Sequence, residues 1–258
     1  MNKIFLVNPA PMKEDEPIVD FIRHRFSLVD NPRRAELILV LGGDGAMLKA
    51  IRTYQSLEKI FAGLNYGHIG FLMNKSDAKV LEEILEDDLV VITVKMLQAE
   101  LYDRKGRSVG RDFAFNDCYF ERSTVQTAKI RVSVNGRLRF DPLVGDGVLV
   151  STSAGSTAYN ASAGGVILPI DSHSMVLTGI CPAVFHSWRT SILAAESVVE
   201  LEAVEMHKRP VRFITDGVIK EDAVRAEVSY SSKKVRVAFA QSQDFREKVM
   251  NLQFYTPH

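Results

Sequence analysis

The chain has 258 residues, enough for a full core and for two domains, and its 32 lysines and arginines balance 32 aspartates and glutamates to a formal net charge of zero. That balance leaves no general basic field to attract nucleic acid, and no apolar run approaches the length needed to span a bilayer. Two cysteines, Cys118 and Cys181, fit a reduced cytoplasmic protein better than a disulfide scaffold, and the six histidines show no metal-ligand spacing.

In chain order, Ile4–Val7 reads as a first buried strand, stopped by Asn8-Pro9 and too short for the apolar core of a signal peptide. Ile18, Val19, Ile22 and Phe26 then recur at helical spacing. Leu37–Leu41 is a second strand, running into Gly42-Gly43-Asp44-Gly45, and Met47, Leu48 and Ile51 mark one face of a helix over Ala46–Tyr54. Ile60–Leu64 is a third strand, and Val80, Leu81, Ile84 and Leu85 mark another helix. Strand–helix alternation of this kind predicts a parallel sheet with helices on its faces.

From about Ala99 the apolar period changes to two. Ile130, Val132 and Val134 alternate with polar residues, then Asn135-Gly136 supplies a hairpin turn before Leu138 and Phe140. Similar hairpins are expected at Lys105-Gly106 and at Ser232-Lys233, the latter with Val228, Tyr230, Val235, Val237 and Phe239 as its apolar face. This half is predicted to be mainly antiparallel β. Asp244–Leu252 returns to helical periodicity through Phe245, Val249 and Leu252 and is expected to rejoin the first domain. The expected division is therefore an α/β domain over residues 1–97 with 241–258, and a β-rich domain over 98–240.

Two glycine-flanked aspartates carry the chemistry, Gly42-Gly43-Asp44-Gly45 and Gly145-Asp146-Gly147. Glycines let a backbone approach a phosphate closely, and the carboxyl end of a parallel strand is where α/β folds hold ligands. The second aspartate opens a run rich in small and hydroxyl residues, Ser151 to Gly165, able to line a nucleotide pocket. Either element alone is also what a tight turn asks for. Together and in this order they point to a nucleotide held against a carboxylate.

With Asn65-Tyr66-Gly67-His68-Ile69-Gly70-Phe71-Leu72 and Asn116-Asp117 between them, these elements resemble the NAD kinases over most of the chain. They resemble more loosely the diacylglycerol, sphingosine and 6-phosphofructokinases that share the Gly-Gly-Asp-Gly element. The Gly145–Gly165 block is the most specific part. The resemblance implies a Rossmann-like N-terminal domain, a sandwich-like β C-terminal domain, a nucleotide site between them, and a homodimer or homotetramer.

It also implies roles. Asp44 would be the general base that takes the proton of the adenosine ribose 2′-hydroxyl of NAD, with ATP or polyphosphate as donor and Mg²⁺ or another divalent cation carried on the donor's phosphates. Gly43 and Gly45 leave room for phosphates at the start of the following helix; a turn with Asp44 as helix N-cap is the plainer alternative. Asn116 and Asp117 match the family's Asn-Glu pair, which reads adenine and ribose, with the carboxylate one methylene shorter; an Asx-turn would explain the pair equally well. Asp146 would reach the nicotinamide side. Ala154, Thr157, Ala158, Tyr159, Asn160 and Ser162 map onto the stretch around NAD, Tyr159 either packing on a base or filling the core. Phe71 is expected to line the pocket, or else to pack in the core, and His68 to be structural. Ser153, Ala154, Val144 and Val218 depart from the commoner Pro, Thr or Ser, basic and Gln residues. The reaction implied is NAD to NADP. The alternatives are a related kinase of a lipid or sugar alcohol and a nucleotide-binding regulator without turnover.

Overall fold

The structure, a computed structural model, describes residues 3–8, 17–65, 70–183, 188–220, 222–243 and 248–250. Their elements, in order, are β1 (Ile4–Val7), α1 (Pro17–Arg25), β2 (Leu37–Gly42), α2 (Asp44–Tyr54), β3 (Ile60–Asn65), α3 (Ala78–Glu86), β4 (Leu89–Tyr102), β5 (Ser108–Ala114), β6 (Asp117–Arg122), β7 (Ala128–Val134), β8 (Arg137–Gly145), β9 (Gly147–Ser151), α4 (Tyr159–Ser162), β10 (Ser174–Ile180), β11 (Thr190–Ala194), β12 (Val199–Ala203), β13 (Val211–Thr215), β14 (Val218–Lys220) and β15 (Arg225–Ala240). The chain divides into two compact units, Met1–Val94 with Lys234–His258, and Lys95–Lys233.

In the first unit β1, β2, β3 and the end of β15 lie side by side, all parallel. Leu37 to Leu41 are all buried, so the sheet is covered on both faces, as a parallel sheet requires. One face packs Ile22 and Phe26 of the first helical segment and Val80, Leu81 and Ile84 of α3 against Leu37, Leu39, Leu41 and Leu64. Asn74, wholly buried, ties the sheet crosswise. Its side-chain amide donates to the Gly63 and Ala238 carbonyls and its Oδ1 accepts from the Ala240 amide at 2.8 Å.

The second unit is an antiparallel sandwich. One sheet runs β15–β12–β7–β8 with the β4–β5 hairpin, the other β11–β10–β9–β6–β13–β14. Val132, Leu201 and Val228 of the first sheet meet Phe120, Val150 and Phe213 of the second in one core. The Asn135-Gly136 turn takes positive φ at both residues, 53° and 69°, as its type demands. Among the described residues no helix is long and apolar enough to cross a membrane, and Cys118 and Cys181 are both free thiols.

One expected hairpin is not formed. Ser232-Lys233 lies in mid-strand, and β15 continues unbroken from Arg225 to Ala240. Its buried residues switch parity there, from Ala226 and Val228 to Val235 and Val237, across the exposed Ser232, Lys233 and Lys234. The unit boundary falls at that switch, so a strand serving two cores in succession has the pattern of two strands with a turn between. In the tail, residues 248–250 are helical with Val249 buried in the first unit, while Phe245 and Leu252 lie outside the described residues.

Candidate functional site

In the first unit, the end of β2 brings the glycine turn to the surface. Gly42 has φ 145° and a Cβ there would lie 2.8 Å from that of Ala46, so this position needs glycine. Hypothetical Cβ atoms on Gly43 and Gly45 meet nothing within 4 Å, leaving the approach to α2 open. Gly43 is the N-cap of α2 and Asp44 its first residue, without a side-chain cap bond. Asp44 instead accepts from a remote segment: the Phe71 amide donates to Oδ2 at 2.9 Å and the Leu72 amide to Oδ1 at 3.0 Å. A Cβ at Gly70 would sit 2.6 Å from Oδ1, so the loop is tailored to the carboxylate. A carboxylate has about four acceptor positions, and two remain for a ligand. Phe71, half-buried, thus enters the site through its amide. Tyr66, Gly67, His68 and Ile69 lie outside the described residues.

In the second unit, Asn116 and Asp117 stand where β5 passes into β6, buried and gripped from two sides. Asp216, in a turn at φ 45°, accepts the amides of Phe115 at 2.7 Å, Asn116 at 2.8 Å and Asp117 at 3.2 Å. From the other side the Thr152 hydroxyl donates to the Phe115 carbonyl at 2.7 Å, and the Thr152 amide and Ser151 hydroxyl donate to the Asn116 carbonyl. A Cβ on Gly155 would run into that same carbonyl. Three hydrogen bonds therefore fix the Asn116 N–H and carbonyl, while its side-chain Oδ1, fully buried, has no hydrogen-bond partner among the described residues. The Asp117 carboxyl, in a residue 5% exposed, is pushed up to about pKa 8 by burial and then by the charge of Asp216. It is held neutral at pH 7, able to donate as well as accept.

The small-residue run folds as a tight 3-10 turn, Ala154–Thr157, followed by the single turn of α4. Ser153, Ala154 and Ser156 are buried, the Ser153 hydroxyl donating to the Ile170 carbonyl and the Ser156 hydroxyl to the Ser153 carbonyl. The Thr157 hydroxyl donates to the Ala154 carbonyl, and Thr157, Ala158 and Tyr159 are half-buried. Tyr159 packs edge-on against Tyr119, ring centroids 5.0 Å apart. Asn160 is wholly buried and committed: its amide donates to the Ser156 and Val166 carbonyls and its Oδ1 accepts from the Thr178 hydroxyl at 2.7 Å. It braces the segment. Ser162 is exposed at the end of α4. Asp146 is half-buried and paired with Arg122, Nε to Oδ1 at 2.7 Å, which supplies a cation that Val144 does not. Val218 is 40% exposed on the short β14.

Asp216, Thr152 and Arg122 escaped sequence reasoning as site residues. Thr152 lies within the hydroxyl-rich Ser151–Gly165 run, Asp216-Gly217 has the composition of a plain turn, and nothing in the sequence marks Arg122.

Glycine-flanked access to a helix start, in the first unit, is a provision for a phosphate-bearing ligand. An unmatched amide oxygen beside a protonated carboxyl, in the second unit, is a provision for a polar one. Family comparison carries this further: the ATP-NAD kinase N-terminal domain matches residues 10–89 and the ATP-NAD kinase C-terminal domain residues 116–239. The chain belongs to the ATP-NAD kinase family. It is 34% identical over 256 residues to the NAD kinase of Rickettsia canadensis, covering 98% of each chain, and 37% identical over 222 residues to that of Rickettsia typhi, covering 85% of this chain and 86% of the other. Its fold is shared by yeast NADH kinase complexed with NADH, with a TM-score of 0.84 at 21% identity, covering all of this chain and 89% of the yeast one. An NAD kinase from Archaeoglobus fulgidus in complex with ATP has the same fold, with a TM-score of 0.73 at 19% identity, covering 97% and 98% of the two chains.

Proposed function

We propose that this chain is an NAD kinase that transfers a terminal phosphoryl group from ATP or polyphosphate to the 2′-hydroxyl of the adenosine ribose of NAD, giving NADP. The observation that carries the substrate assignment is the Oδ1 of Asn116, without a partner among the described residues, beside the neutral Asp117. A buried acceptor without a donor costs about 1–3 kcal/mol, a cost that a bound ligand relieves. The exocyclic amine of adenine is such a donor, and the neutral Asp117 can donate to one ribose oxygen while accepting from a hydroxyl.

In the reaction, the 2′-oxygen bonds to the terminal phosphorus as the bond from that phosphorus to its bridging oxygen breaks, and the 2′-hydroxyl proton passes to Asp44. The amides of Phe71 and Leu72 hold the Asp44 carboxylate in one orientation, which is what a general base requires. Open space at Gly43 and Gly45 admits phosphates towards the amide end of α2. Asp146, held by Arg122, and Tyr159, on Tyr119, are assigned to the nicotinamide side and to a base. Among the described residues no group of three or more His, Cys, Asp or Glu is arranged to hold a metal ion. Magnesium or another divalent cation would arrive on the donor's phosphate oxygens. A homodimer or homotetramer in a reducing cytoplasm completes the reading, the latter supported by the two free thiols.

The test is direct. Purified protein with magnesium and NAD, supplied with ATP or with polyphosphate, is expected to yield NADP detected by an NADP-specific dehydrogenase. No NADP with either donor, together with phosphorylation of a lipid or sugar alcohol, would overturn the reading.

A further inference from the structure

Moving a phosphoryl group asks a protein chiefly for positive charge around the transferred oxygens. Among the described residues, the motif positions around Asp44 supply backbone amides and one more negative charge, Asp44 itself. The structure places a cation beside them from the far end of the chain. Lys248 donates from Nζ to the Met73 carbonyl at 2.8 Å. Met73 directly follows Leu72, whose amide donates to Asp44, so one short loop carries Asp44 on its amides and Lys248 on its next carbonyl.

We propose that Lys248 supplies the positive charge that meets the donor's terminal phosphates at Asp44; the inference rests on the kinase reading above. Met73 is one neutral acceptor for an ammonium with three donors, and among the described residues no carboxylate lies within ion-pairing distance of Nζ. A half-buried ammonium left with one carbonyl is poorly compensated for the water it has lost, whereas an anion entering beside it would complete its shell. Its surroundings agree: burial lowers the ammonium's pKa from the ordinary lysine range, the charge of Asp44 pulls it back up, and Lys75 opposes it as a second nearby cation. Lys75 is exposed and Lys248 is half-buried, so Lys248 acts in a lower dielectric. A strap holding the loop, with no part in charge neutralisation, is the competing account.

The two accounts separate in full-length protein carrying Lys248→Met, which keeps the aliphatic stem, and Lys248→Arg, which keeps the charge. Steady-state kinetics with ATP and NAD are combined with calorimetric titration of inorganic tripolyphosphate and with thermal melting. Lys248→Met is expected to lower kcat/KM for ATP by about 10²-fold and to weaken tripolyphosphate binding about tenfold, the scale of one charge-assisted contact. KM for NAD should stay within about twofold, and Lys248→Arg should recover most of the ATP loss. The proposal is overturned if Lys248→Met keeps kcat/KM for ATP within about threefold of the parent, or if both variants lose activity alike while melting early, as a strap would. If the parent makes no NADP, the kinase reading falls and tripolyphosphate binding alone decides Lys248: equal affinity in parent and Lys248→Met overturns the assignment.

Discussion

Asp44 and Asp216 are the same device used to opposite ends. Each is an aspartate followed by glycine, and each turns its carboxylate onto backbone amides far away in sequence, Phe71 and Leu72 for the first, Phe115 to Asp117 for the second. Asp44 accepts two amides beside glycines that face open space, so acceptor capacity is left for a substrate. Asp216 accepts three, and its negative charge adds to the larger effect of burial in keeping the proton on Asp117. A carboxylate that holds a loop becomes a candidate base when its remaining lone pairs are open. Otherwise it shapes the protonation of the groups it holds.

The largest expected effect breaks the comparison at Asp44. Asp44→Asn should lower kcat by about 10²–10⁴ through loss of the base. The fold should persist with a stability loss of about 1–3 kcal/mol, because the amide nitrogen of Asn would face a backbone N–H that now has an acceptor. Coupled turnover together with urea unfolding checks both halves; near-normal turnover would reduce Asp44 to a loop clamp. At Asp216 the order reverses. Asp216→Ala leaves three amides without their acceptor and should cost on the order of 3 kcal/mol or more, with KM for NAD rising as Asn116 and Asp117 lose their setting. Unfolding curves and KM for both substrates test it, and an unchanged midpoint would remove the clamp from the account.

Asp117 sharpens the contrast through pH. Its pKa rises on folding from the usual carboxylate value of 3.8 to about 8, so between those values the native state holds a proton that the unfolded chain releases. This contribution is fully present below about pH 4 and is lost progressively as pH climbs through 8. Unfolding free energies at pH 5, 6.5 and 8 should therefore fall with pH, and Asp117→Asn should flatten the trend. The proton also sets the size of the binding effect. A neutral hydrogen bond contributes about 0.5–1.5 kcal/mol, so Asp117→Ala should raise KM for NAD by roughly 2–10-fold, below what a charged contact would give, with KM for the donor unmoved.

The smallest effect divides the glycines of one turn. Gly43→Ala should leave the melting temperature within about 2 °C of the parent and raise KM for the phosphoryl donor, because its Cβ points into open space. Gly42→Ala, at φ 145° and against Ala46, should destabilise the fold instead. Equal melting losses in the two variants would mean that the space at Gly43 is closed.

The strand–helix alternation of the first unit, the Asn135-Gly136 hairpin and the motif positions were legible because each rests on local chemistry: period, turn residues, glycine freedom. What was missed depends on distant partners. Ser232-Lys233 has every local mark of a turn, and only the change of core from Val228 to Val235 explains why the strand runs on. Nothing beside Asp216 in sequence announces the three amides it holds. The partners of the Asn160 side chain, the Ser156 and Val166 carbonyls and the Thr178 hydroxyl, are likewise a product of the fold. Lys248 sits in no motif, and its closeness to Asp44 is a product of the fold.

The crosswise tie at Asn74 has a consequence for how this chain is made. Its bond to Ala238 joins positions 164 residues apart, and β15 is the fourth strand of a sheet whose other three occur within the first 65 residues. A ribosome delivers those three strands long before the fourth, at about 5–20 residues per second. For roughly ten to thirty seconds the outer edge of β3 has no neighbour, and its apolar row, Phe61 to Leu64, is open to any strand that comes by. The nascent chain is thus most exposed to mispairing while the second unit is being synthesised, and a chaperone would find its work at that edge.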